Sequence, residues 1–128
     1  MGNRNGQDLM ERLILYSVRI IKVCEAIVPG PAKEHIYDQL LRSGTAVAAN
    51  YAEAQGAESA KDFIHKVKLA LKELREAMVW LRIIQKAPLI KSPSALDAIL
   101  NESDELTAIF IKSVQTAQKS QREKQFVS

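Results

Sequence analysis

QLLRSGTAVAANYAEAQG, residues 39–56, has the composition of a helix but contains an unusual number of small side chains. At 100° per residue, Leu40, Val47 and Tyr51 gather on one side of such a helix and form an apolar face. Another side carries small and polar residues, which we call the alanine strip: Arg42, Ala46, Ala49, Asn50 and Glu53. The stretch therefore predicts a helix with two faces, of which a lone helical bundle needs only the first.

The alanine strip has two interpretations. Small side chains let a second helix approach closely, and Arg42 and Glu53 could form bonds across that contact. Alternatively, the strip is an exposed face in which alanine supplies helix propensity and the two charges are solvated. Thr45 and Asn50 are poor choices for an exposed helix and favour the first interpretation. We therefore expect the strip to form a buried contact between the protomers of a homo-oligomer.

Apolar residues recur with helical spacing along nearly the whole chain and predict four helices. In the first helix, a second apolar stripe is expected to widen the core-facing side: Met10, Ile14, Val18 and Ile21. The third helix carries an unbroken heptad pattern: Phe63, Val67, Ala70, Leu74, Ala77, Leu81 and Ile84. The predicted helices span about residues 8–28, 32–55, 59–87 and 94–119, and the polar tail 120–128 is expected to be frayed or disordered.

Helix-breaking and capping residues separate these segments. Pro29, Gly30 and Pro31 end the first helix and begin the second. Gly56 is expected to end the second helix in a left-handed conformation, and Ser59 to cap the third. Each helix is longer than about 20 residues and the connections are short, so neighbouring helices should be antiparallel. The sequence predicts an all-α fold: a single domain, residues 1–128, forming an antiparallel up-down-up-down four-helix bundle.

The composition narrows the class of protein. The chain is 47% hydrophobic and 26% charged, has one cysteine and carries a formal charge of +3. No apolar run approaches the roughly 20 residues that span a bilayer, and residues 1–8 lack the apolar segment of a secretory signal. These features predict a cytoplasmic protein without a membrane partner. The basic balance permits an acidic partner without requiring one.

A metal site is not expected. Di-metal centres in four-helix bundles need two Glu-x-x-His pairs and two further carboxylates. Asp62 and His65 give one approximate match, and His35 has no acid three residues before it. The phosphate-binding Gly-Lys-Ser/Thr ending is missing, and Cys24 is most simply a small buried apolar residue.

Glu73 and Glu76 lie three residues apart and could be mistaken for a catalytic acid–base pair. Lys72 and Arg75 are interleaved with them and offer salt-bridge partners within and between helices. We therefore interpret the two glutamates as structural and predict a non-enzymatic protein that uses no cofactor.

Basic residues on the third helix are the better candidates for a functional site. We call the following line the basic stripe, since its members step by four, three, four and three residues: Lys61, His65, Lys68, Lys72 and Arg75. Lys66, Arg82 and Lys86 add charge nearby. Such a line could follow a phosphate backbone, whereas aromatic residues make up 5% of the chain and argue against base stacking. The alternative is a solvated charged face.

Several short motifs resemble one known family. They are Arg42-Ser43, Asn50-x-x-Glu53, Lys61-Asp62-Phe63, Ala70-Leu71-x-Glu73-x-x-Glu76 and Trp80-Leu81. Over roughly residues 8–118 the chain resembles the four-helix-bundle family that includes proteins encoded by intervening sequences of bacterial large-subunit ribosomal RNA genes. The same family includes the accessory variability determinant of diversity-generating retroelements. Ala46 stands where serine is common, and Ala52-Glu53-Ala54 departs from the usual motif ending.

The resemblance implies a homo-oligomer, typically a pentameric barrel of bundles. For the retroelement members it also implies binding to nucleic acid and to a reverse transcriptase. Our first hypothesis is therefore a non-enzymatic, homo-oligomeric module that binds structured RNA or DNA. The alternatives are a protein–protein scaffold without nucleic-acid affinity, and a bundle that binds a small ligand or a metal.

Overall fold

A computed structural model describes the backbone of residues 2–127 and the side chains of residue 6 and residues 8–125. Within that range the chain forms four α-helices: α1 (Gly2–Ala26), α2 (Pro31–Gln55), α3 (Ala60–Lys86) and α4 (Asp97–Val127). A short 3-10 helix (Pro93–Leu96) precedes α4. The all-α prediction is confirmed. Met1 and Ser128, the two ends of the predicted domain, lie outside the described residues.

Both terminal helices are longer than the sequence predicts. Helix α1 begins at Gly2 rather than near residue 8. Helix α4 continues to Val127, through most of the tail that was expected to be frayed. The tail is polar but contains neither proline nor glycine, so nothing in residues 120–127 interrupts helical hydrogen bonding.

The connections follow from local backbone chemistry. Gly30 has φ 146°, a conformation that favours glycine, and Pro31 begins α2 immediately after it. Ser59 caps α3 as predicted, because its side chain accepts a hydrogen bond of 3.0 Å from the backbone N–H of Asp62. Gly56 does end α2, but with φ −93° and ψ 12°, so the predicted left-handed conformation is wrong.

Side-chain contacts fix the antiparallel arrangement. Arg42 and Glu73 pair near the middles of α2 and α3, and Glu53 near the end of α2 pairs with Lys66 near the beginning of α3. The two helices therefore run in opposite directions. Consecutive helices pack along much of their length, whereas α1 and α4 meet over only a few residues. The core lies between the four helices and includes Leu13, Tyr16, Ile20, Leu40, Val47, Leu74, Leu81, Leu106 and Phe110.

Most of the second apolar stripe of α1 is not part of this core. Met10 is half-buried and packs against the core, as predicted. Ile14, Val18 and Ile21 are 44%, 41% and 40% exposed, and Leu15 beside them is 61% exposed. The prediction that the stripe widens the buried face is therefore wrong for Ile14, Val18 and Ile21. We call these three residues and Leu15 the α1 apolar surface.

Candidate functional site

The basic stripe is on the outer surface of α3. All five of its residues are exposed, and they lie on one face because each step is three or four residues along the helix. Arg82 and Lys86 are also exposed and continue the same spacing beyond Val79. From Lys61 to Lys86 the line is about 38 Å long at 1.5 Å per residue.

The acidic residues of α3 lie to one side of this line. Arg42 of α2 donates a hydrogen bond of 2.8 Å to Glu73 and a second, short bond to Glu76. Glu76 also accepts a bond of 3.2 Å from the indole N–H of Trp80. The partner of both glutamates in the structure is Arg42, rather than Lys72 and Arg75 as predicted.

Glu76 is held in its ionised form by these neighbours. Partial desolvation tends to raise the pKa of its carboxyl group, but the hydrogen bonds from Trp80 and Arg42 outweigh it. The result is a lowered pKa, to which the charge of Lys72 adds. A carboxylate with a lowered pKa and two donors is poorly suited to act as a general base.

The basic stripe retains its positive charge within the described part of the chain. None of its five residues forms a salt bridge with a described residue, although Lys72 is close enough to Glu76 to affect its pKa. Lys66, which lies off the line, is instead paired with Glu53 at 3.2 Å. The acids are therefore neutralised from α2, while the line of lysines and Arg75 faces solvent.

The alanine strip borders α3 of the same chain. Its two charged members have their partners there: Arg42 bonds to Glu73 and Glu76, and Glu53 bonds to Lys66. Ala46 and Asn50 are half-buried and Ala49 is exposed. Both charges therefore have partners within the chain, on α3, and neither needs a second protomer as its partner. The strip itself stays a predicted interface.

Cys24 is a core residue, as predicted. It is fully buried, and its thiol lies 3.8 Å from the carbonyl oxygen of Tyr37. Burial raises the pKa of the thiol to about 11, which makes the thiolate scarce at neutral pH. Among the described residues, no three of His, Cys, Asp and Glu are grouped so that they could hold a metal ion.

Sequence reasoning missed the α1 apolar surface as a site. Its residues follow helical spacing, but so do the core residues of α1, and the two stripes together cover more of the helix than a corner of a four-helix bundle buries. The width of the combined apolar face could therefore have indicated that part of it stays exposed. No helix in the described part of the chain is long and apolar enough to cross a membrane.

Comparison with known proteins assigns this chain to a family. The family model described as "23S rRNA-intervening sequence protein" matches residues 7–112. The chain belongs to that family. The match includes α2, α3 and the basic stripe, and it confirms the resemblance seen in the motifs of these helices.

A solved relative supports the same assignment for this intervening sequence protein. It is a protein with unknown function from the S23 ribosomal protein family of Bacteroides thetaiotaomicron, 30% identical in sequence, with a TM-score of 0.78. The similarity covers 86% of this chain and 97% of that one. No curated protein matches this chain.

Proposed function

We propose that this intervening sequence protein is a non-enzymatic, homo-oligomeric module that binds structured RNA or DNA through the basic stripe. The observation that carries the proposal is that no residue of the stripe forms a salt bridge with any described residue. Glu73, Glu76 and Lys66 on the same helix are instead paired with residues of α2. An unpaired line of cations on a rigid helix is a surface that attracts a polyanion.

The chemistry of the stripe favours the nucleic-acid backbone over the bases. Lysine contacts a phosphate as a point charge and arginine through its planar fork of N–H donors. The exposed face that carries them offers no tyrosine or phenylalanine for base stacking. Binding should therefore depend strongly on salt and weakly on sequence.

The test is fluorescence anisotropy with a labelled RNA hairpin and a DNA duplex at several salt concentrations. Replacing Lys68→Gln together with Lys72→Gln leaves two phosphates without a cation. The slope of log affinity against log salt should become shallower by roughly 1.8 for the DNA duplex, at about 0.9 for each phosphate that is no longer neutralised. Affinity should fall by a similar factor for unrelated sequences.

A matched control removes the same charge from another helix. Lys112 and Lys119 are exposed on α4, so Lys112→Gln with Lys119→Gln changes the net charge equally without touching the stripe. Equal losses of affinity in the two double variants would show a response to net charge alone and would overturn the assigned surface. So would an unmodified protein that binds neither probe at low salt.

A protein–protein scaffold is the second candidate, because the α1 apolar surface exposes four large side chains on one helix. Isolated apolar residues are normal on a surface, but a contiguous group of this kind is typical of a contact with another protein. A protein partner captured after nuclease treatment, and no longer captured by Val18→Glu, would favour the scaffold. Capture that depends on intact nucleic acid would favour the first proposal.

A further inference from the structure

A cleft of about 750 Å³ lies at the end of the bundle where α2 is joined to α3. Its walls come from all four helices and from the α2–α3 connection, and include Leu9, Tyr51, Ala57, Ser59, Phe63 and Ile109. The cleft exists because α1 and α4 pack together over only a few residues, which leaves the bundle incompletely closed along that side. Its volume is within the range of small-molecule sites, roughly 300–1,000 Å³.

Tyr51 gives this cleft an unused polar group. Its side chain is 7% exposed and its ring stacks on Phe110 with the centroids 5.8 Å apart. Its hydroxyl has no hydrogen-bond partner among the described residues. Every described side-chain polar atom that is shielded from solvent has a hydrogen-bond partner. The Tyr51 hydroxyl has none, so it is accessible, and Tyr51 lines the cleft.

The contrast with Tyr16 makes the Tyr51 hydroxyl unusual. Tyr16 lies deeper in the bundle, and its hydroxyl is bonded to Ser103 at 2.8 Å. The Tyr51 hydroxyl is instead accessible, so its partner can be water or a ligand. Burial also raises the pKa of Tyr51, so its hydroxyl is protonated at neutral pH and is available as a donor.

Further donors lie at the cleft, where Gln55 also offers an amide that can both donate and accept. The Ser59 oxygen accepts from the Asp62 N–H, which leaves the hydroxyl proton of Ser59 free to be donated. Ala60 begins α3, where a backbone N–H has no partner within the helix. A ligand that matches these groups must supply a hydrogen-bond acceptor.

The charges at the cleft favour a ligand without net charge. Asp8 is exposed at the rim, and Arg12 is already bonded to Glu102 at 2.7 Å. An anionic ligand would therefore be repelled by Asp8, and Arg12 is not available to bind it. A cationic ligand would be repelled by the positive N-terminal end of α3. The remaining walls are apolar, including Leu9, Phe63 and Ile109.

We infer that this cleft binds a neutral, largely apolar small molecule that carries a hydrogen-bond acceptor such as a ketone oxygen, with the Tyr51 hydroxyl as its donor. The site is separate from the basic stripe and does not depend on nucleic-acid binding.

Prodan, a neutral naphthyl ketone whose emission shifts when it leaves water, is a suitable probe. The unmodified protein should bind one equivalent with a saturable blue shift. Tyr51→Phe keeps the ring but removes the donor and should weaken binding about fivefold, the factor expected for one hydrogen bond. Ala57→Phe fills the cleft and should weaken binding more than tenfold. Ala60→Phe serves the same purpose if Ala57→Phe does not fold.

Two controls locate the site. Tyr37→Phe removes the hydroxyl of the other tyrosine of α2, which is half-buried, and should bind like the unmodified protein. Val18→Glu alters the α1 apolar surface and should also have no effect. Prodan binding that survives both Tyr51→Phe and Ala57→Phe, or that is abolished in Val18→Glu, would overturn the inference. So would tighter, Tyr51-dependent binding of a naphthalene sulfonate anion than of prodan.

Discussion

Gly44 shows how one residue sets the distance between two helices. It is buried in α2, and a Cβ atom added there would lie 2.6 Å from Cγ2 and 2.8 Å from Cγ1 of Ile20 in α1. Ile20 is itself fully buried, and the atoms nearest the added Cβ are close to its own backbone rather than at the far end of its side chain. The small residue that looked odd in the sequence thus serves the packing of α1 on α2.

We expect Gly44→Ala to destabilise the protein despite the better helix propensity of alanine. The propensity gain is about 1 kcal/mol, whereas overpacking a core typically costs about 1–3 kcal/mol. The net loss should therefore be at most about 2 kcal/mol in urea unfolding. In an Ile20→Ala background the clash is gone, so the same substitution should become stabilising. A loss of the same size in both backgrounds would mean that Ile20 is not the cause.

Tyr16 predicts a loss of stability in alkaline solution. Burial, only partly offset by the bond to Ser103, raises the pKa of its hydroxyl from 10.0 to about 12. The unfolded chain therefore releases this proton first. Stability is complete below about pH 10 and falls as the pH rises toward 12, by on the order of 2–3 kcal/mol from this group. The raised pKa of Cys24, about 11, acts in the same direction from about pH 9.

Tyr16→Phe isolates that contribution. At pH 8 the variant should lose only about 1 kcal/mol, because the Ser103 hydroxyl still donates to the carbonyl oxygen of Ile99 at 2.8 Å. Between pH 8 and pH 11 its free energy of unfolding should fall less than that of the unmodified protein. Parallel pH profiles for the two proteins would show that Tyr16 does not titrate with unfolding.

At the scale of single helices, the sequence predicted type and order well and exposure less well. Periodicity identified all four helices, and the cap at Ser59 was found from residue type alone. Periodicity alone did not show which of the two α1 stripes is buried, because that depends on the angle at which α2 and α4 approach. The partners of Arg42 and Glu53 were missed for the same reason, since both lie on a neighbouring helix.

The pairing between α2 and α3 has a consequence for the basic stripe. Arg42→Gln would release Glu73 and Glu76, whose negative charges would then oppose the stripe beside them. Stability should change by less than about 1 kcal/mol, because the side chain of Arg42 is 52% exposed. Affinity for the RNA hairpin should nevertheless fall, and Glu73→Gln with Glu76→Gln in the same chain should restore it. Unchanged affinity in Arg42→Gln would show that these acids do not affect the stripe.

At the scale of the whole molecule, two exposed apolar surfaces lie on different helices. One is the α1 apolar surface, with the exposed acids Glu11 and Glu25 nearby in the sequence. The other is made by Val79 and Ile83 of α3, 56% and 40% exposed, beside the bases Arg82 and Lys86. Lys22 is also exposed beside the first surface, so the charge there is mixed, whereas the second surface is basic. The two surfaces are unlike, and α1 of one copy could contact α3 of the next through their apolar residues. Such a head-to-tail contact closes into a ring when the rotation allows it.

Variants of the two apolar surfaces can distinguish this interface from one formed by the alanine strip. Val18→Glu and Ile83→Glu each spoil one of the two surfaces, so each variant alone should run as a monomer of 14.3 kDa in light scattering after size exclusion. Each still carries the surface that the other lacks. An equimolar mixture should therefore form a heterodimer of twice 14.3 kDa and grow no further. Ala49→Arg tests the alanine strip in the same assay.

The outcomes of this experiment assign the interface. Dissociation in Ala49→Arg but in neither α1 nor α3 variant would place the contact on α2, as the sequence predicts. A mixture that stays monomeric would contradict the pairing of the two apolar surfaces, because complementary halves of a head-to-tail contact must combine. An unmodified protein that is monomeric at micromolar concentration would contradict both interfaces. In that case each protein molecule would bind nucleic acid with a single basic stripe. It would lack the stronger electrostatic field that several stripes in a ring produce.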